Sequence, residues 1–122
     1  MGRPCGGPCH GSPGVTQTVP ALIWCPFPDE ASARAVADAL LDEGLIACAN
    51  LLPAMVSLYV WQGARHEDRE MGVLMKTNAA LLDGAIARLG ALHPYETPAI
   101  LGWHCDAGAP ATRDWLGALT PP

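Results

Sequence analysis

Hydrophobic positions along this chain switch between a period of two and a period near 3.6, and the switches divide it into elements. VPALIWC, Val19 to Cys25, is a short apolar run of strand length, stopped by Pro26 and Pro28. Asp29 then stands as an N-cap before Ala33, Val36, Ala37, Leu40 and Leu41 at helical spacing, with Gly44 in the C′ place. Glu30, Arg34, Asp38 and Asp42 fall on the opposite face, with Glu30 four residues ahead of Arg34 in the favourable order.

From Leu45 to Trp61 both alternating sets of positions are largely apolar, which a strand with one solvated face would not show. A long strand bent at Pro53, with its second face covered by a helix or by another subunit, accounts for the pattern. QGARHEDRE reads as a polar hairpin tip, and MGVLMK as the returning strand. Thr77 or Asn78 caps a second helix that turns Leu82, Ala85, Ile86 and Leu89 inward. HPYETP, a strand AILGWHC, a Gly-containing turn and a short final helix marked by Trp115, Leu116 and Leu119 complete the chain.

The order is β-α-β-β-α-β plus a terminal helix, an α+β fold on the ferredoxin-like plan with a long hairpin. Right-handed crossovers place Cys25, His93, Tyr95 and Glu96 at one end of the sheet, together with the hairpin tip after Trp61. His104 and Cys105 fall at the other end.

Residues 1–18 are rich in Gly, Pro and Ser and offer little to bury, so they read as a disordered tail ahead of a single domain over residues 19–119. Cys5, Cys9 and His10 lie in that tail, where no regular element fixes their geometry for a metal, and they read as incidental. A formal charge of −5 and a pI near 5.1 argue against nucleic acid as a partner. No apolar run approaches the roughly 20 residues of a membrane span, and no signal-peptide core is evident. With five cysteines, an odd number, the expected compartment is the reducing cytoplasm. Mean hydropathy of +0.18 with only 16% charged residues points to apolar surface buried between subunits.

The motifs are familiar. The run at Cys25, Pro28, Asp29, Glu30 and Ala33, then ACANLLP, SLYVWQG, Glu70, Lys76-Thr77, HPYETP and the late Trp115 resemble the CutA family of divalent-cation tolerance proteins. That resemblance implies a homotrimer whose hairpin strands pair between subunits. It also implies a copper or other divalent-cation site near Cys25 and His93, with no cofactor required for folding. Leu92 stands where some bacterial relatives carry a second histidine.

Cys25 and His93 offer a soft sulfur and a borderline nitrogen, a pair suited to Cu or Zn, and Glu96 adds an oxygen. Cys25 is equally read as a small apolar residue at a strand end. Tyr95 is expected to orient the turn, Trp61 to anchor an interface, and Lys76 and Glu70 to form a polar latch in the sheet. A nucleophilic Cys25, its thiol pKa depressed by the helix opening at Asp29, is the rival chemistry. No oxyanion-hole or phosphate-loop motif accompanies it, so the chain is expected not to be an enzyme. An effector-binding signalling trimer is the remaining alternative.

Overall fold

The computed structural model describes residues 18–122, so Cys5, Cys9 and His10 lie outside the described residues. The elements run β1 (Pro20–Phe27), α1 (Glu30–Asp42), β2 (Cys48–Trp61), β3 (Ala64–Asn78), α2 (Ala79–Leu92), β4 (Leu101–His104) and α3 (Pro110–Gly117). The strands form one sheet in the order β2-β3-β1-β4, with every neighbouring pair antiparallel.

Alternate residues of β1, namely Ala21, Ile23, Cys25 and Phe27, are buried. Val73 and Met75 of β3 lie opposite Cys25 and Ile23 and share that face. α1 covers it with Ala33, Val36, Ala37 and Leu40, and α2 with Leu82, Ala85 and Leu89, as the helical spacing predicts. Leu41 departs from that stripe and stays exposed. Asp29 caps α1 through Ser32 N–H at 2.8 Å, and Gly44 follows the helix at φ 71°, a left-handed conformation that glycine adopts without penalty. The Glu30–Arg34 pair forms at 2.7 Å on the solvated face.

Neither α1 nor α2 covers the other sheet face. Leu101 and Trp103 on β4, and Leu52 on β2, are exposed there, beside half-buried Leu22 and Trp24.

The hairpin is where the structure departs most from the sequence reading. Its turn is only Gln62-Gly63, both at positive φ (51° and 80°), the signature of a two-residue type I′ turn. ARHEDRE is strand, not tip: Ala64 through Glu70 pair with Trp61 back to Met55. The segment reads as loop because both its faces are polar, but the ladder to β2 supplies its backbone partners. The register shift between Leu52 and Met55, with Ala54 at φ 60°, is the bend expected at Pro53. Since β1 ends opposite Met71, residues 55–70 project beyond the rest of the sheet.

Asn78, not Thr77, caps α2. Its Oδ1 accepts from Leu81 N–H at 3.1 Å, while Nδ2 donates to the carbonyls of Leu116 (2.8 Å) and Leu119 (3.1 Å). One buried amide therefore starts α2 and holds the end of α3. Thr77 instead donates its hydroxyl to Leu45 O at 2.7 Å, tying β3 to the loop before β2.

Candidate functional site at the end of β1

Cys25, His93 and Tyr95 meet at the projecting end of the sheet, as the crossovers require, and the reason lies in Pro26. In an antiparallel ladder a residue's N–H and C=O point to the same neighbour. Pro20 O accepts from Cys105 N on the β4 side, so the even-numbered residues of β1 face β4. The β4 ladder begins at Leu101 opposite Trp24, leaving Pro26 without a strand on that side. The missing proline N–H costs nothing there, but the Pro26 carbonyl is left to find a donor.

His93 supplies it. α2 ends there, with His93 N–H bonded to Leu89 O at 2.9 Å and the backbone turned to extended geometry (φ −67°, ψ 140°) ahead of Pro94. The ring swings onto Phe27, stacked with centroids 4.2 Å apart, and Nε2 lies 2.8 Å from Pro26 O. Nδ1 accepts the Tyr95 backbone N–H at 3.0 Å. A carbonyl only accepts and an amide N–H only donates, so the imidazole is neutral with its proton on Nε2. Burial holds the imidazole pKa below its ordinary value, against smaller upward pulls from Pro26 O and Glu70.

The Cys25 thiol reaches the same carbonyl, with Sγ 3.5 Å from Pro26 O. Its side chain is fully buried, and burial, helped by the Glu70 charge, pushes its pKa up to about 12. Burial therefore moves the thiol in the direction opposite to the one a nucleophilic Cys25 requires.

Tyr95 donates its phenol to Glu70 at 2.7 Å. Burial, then that bond, raises the phenol pKa well above the usual range. Tyr59 on the hairpin hydrogen-bonds Asp68 and stacks on His66 at 5.2 Å. Glu96 lies exposed on the turn.

The expected polar latch of Glu70 with Lys76 is not formed. Six residues along one strand separate them by roughly 20 Å, Lys76 facing Leu22 and Cys48 in the ladder while Glu70 takes Tyr95. Trp61 lies half-exposed beside the hairpin turn, opposite Ala64. Sequence reasoning missed the Pro26 carbonyl and the partner of Tyr95. The available signal was a proline inside a strand, which marks an unpaired edge.

Two proton donors on one carbonyl do not make a cation site. Copper or another divalent ion bound by this pair would require a thiolate and a free imidazole lone pair, whereas the thiol is buried against the Pro26 carbonyl and both ring nitrogens are engaged. Among the described residues, no group of three or more His, Cys, Asp or Glu side chains stands close enough to hold a metal ion. Cys25, His93 and Glu96 do not fit a metal within one chain.

These features define a small α+β protein with two helices on one face of its sheet, a projecting hairpin, and a hydrogen-bonded knot where the hairpin leaves. A family model of the CutA1 divalent ion tolerance protein matches residues 21–118. A divalent-cation tolerance protein CutA from Thermus thermophilus is 40% identical over 95 residues, covering 78% of this chain and 92% of the relative. The crystal structure of a divalent ion tolerance protein CutA1 from Ehrlichia chaffeensis superposes with a TM-score of 0.78 at 30% identity, covering 83% of this chain and 94% of that one. A CutA from Archaeoglobus fulgidus, described as periplasmic, matches at 27% identity and a TM-score of 0.75, covering 80% and 94%. The chain belongs to the CutA1 divalent ion tolerance family.

Proposed function

We propose that the protein serves divalent-cation tolerance, copper included, as a non-enzymatic cytoplasmic homotrimer of ferredoxin-like protomers. The observation that carries the assembly is apolar surface left open in a single chain. Val56, Leu58 and Val60, on one face of the projecting hairpin, are 51%, 62% and 66% exposed. Trp61 on the other face of the hairpin, and Leu101 and Trp103 on β4 at the opposite edge of the sheet, are exposed as well. β2 and β4 are also sheet edges whose free backbone groups suit pairing with another chain. Family membership supports the tolerance role, and the buried, protonated thiol of Cys25 supports a role without catalysis.

Light scattering on the purified chain is expected to give three times the 12.8 kDa protomer mass over a hundredfold dilution. Leu58→Asp with Val60→Asp is expected to dissociate it, and in cells lacking the native gene only the wild type should restore growth in copper. A stable wild-type monomer would overturn the assembly. Full copper tolerance from the dissociated variant would overturn its link to function.

A further inference from the structure

We propose that the His93–Tyr95 segment is a hydrogen-bonded latch that fixes the base of the projecting hairpin to the end of β1, and that the Cys25–His93 pair is consequently not where this protein holds a divalent cation. The latch is continuous. Pro26 O accepts Nε2–H of His93, Nδ1 of His93 accepts the Tyr95 amide, and the Tyr95 phenol donates to Glu70. Glu70 pairs with Met55 immediately after the bulge and immediately before Met71, the last β3 residue opposite β1. Tyr95 thus grips the hairpin at the point where it parts from the sheet.

Each bond depends on the one before it. Without the Pro26 contact the ring loses the bond that sets its orientation, which loosens the acceptor that holds the Tyr95 amide, and with it the placement of the phenol. Phe27 and the tilted Tyr95 ring, centroids 4.2 Å and 4.8 Å from the imidazole, pack against it and limit its rotation. Pro94 and Pro98 limit the turn further. A cation at His93 must take one of two occupied nitrogens. Taking Nε2 abandons the Pro26 carbonyl, and taking Nδ1 abandons the Tyr95 amide, so binding opens the latch in either case.

The test uses the full chain in its native assembly, with Cys5→Ser, Cys9→Ser and His10→Ala to silence the tail. Imidazole 15N spectra are expected to show His93 with its proton on Nε2, unmoved by Zn(II) added as a diamagnetic probe. Copper titration calorimetry of Cys25→Ser and His93→Gln should give affinities within about twofold of the parent. Tyr95→Phe deletes only the phenol donor and should speed hydrogen exchange in residues 55–59 and 68–70 by about fivefold, the factor of one net hydrogen bond, without changing exchange in the core strands. A His93 resonance that shifts with zinc, together with tenfold weaker copper binding in both single variants, would restore the pair as a metal site and overturn the proposal. Unchanged hairpin exchange in Tyr95→Phe would overturn the latch.

Discussion

Replacing Asn78 by Ser separates two tasks that one side chain performs. The serine hydroxyl still caps α2, because Ser is among the preferred N-cap residues, but it is too short to reach the carbonyls of Leu116 and Leu119. Two hydrogen bonds are lost at about 1 kcal/mol each, so the docking of α3 weakens by about 2 kcal/mol. The buried Leu116 side chain contributes about 2 kcal/mol more to that docking and is untouched, so α3 stays docked on average but opens more often. About 2 kcal/mol corresponds to a roughly thirtyfold rise in the opening equilibrium. Hydrogen exchange measured amide by amide should therefore rise about thirtyfold in α3 and leave the first turn of α2 unchanged. Asn78→Ala removes the cap as well, costs about 1 kcal/mol more, and should expose the first α2 amides in addition. Wild-type exchange in α3 of the Ser variant would refute the reasoning, and so would identical exchange patterns in Ser and Ala.

Stability should fall on both sides of neutrality. His93 titrates below its ordinary 6.5 in the folded chain, with Cys25 protonated, Tyr95 neutral and Glu70 the charged group acting on it. The unfolded state therefore takes up the proton first, and stability drops as pH falls from about 6.5 toward the folded value; urea unfolding of His93→Gln should lack that acid limb. Cys25 has the opposite sign, since its raised folded pKa means stability declines as pH rises from about 9 toward 12, a limb that Cys25→Ala should lack. Thiol labelling at pH 8 should modify the half-buried Cys48 and Cys105 within minutes and leave Cys25 intact until the chain unfolds; early labelling of Cys25 would refute its burial.

The helices and the order of strands were legible because each is announced by local chemistry: Asp29 and Gly44 around one amphipathic stripe, Asn78 before another, and a proline where β2 bends. The extent of β3 was not, because Arg65 to Glu70 are stabilised by a partner strand and projected into solvent, and no periodicity in the segment itself records that pairing. The same limit explains Lys76 and Glu70. They look like an ion pair by charge, but position along one strand separates them, and Glu70 finds a phenol that lies 25 residues away in sequence.

At the candidate site the crossovers place Cys25 and His93 together correctly, and the chemistry of those residue types suggests a ligand pair. Proton positions decide otherwise. A histidine presents a lone pair to a cation only where its nitrogens are not already spoken for, and that depends on backbone groups that carry no residue-type signature in the sequence. Here one such group, the Pro26 carbonyl, is set free by the shortness of β4 and draws both the thiol and the imidazole toward it as donors. The arrangement that brings sulfur and nitrogen together therefore also keeps them protonated and engaged.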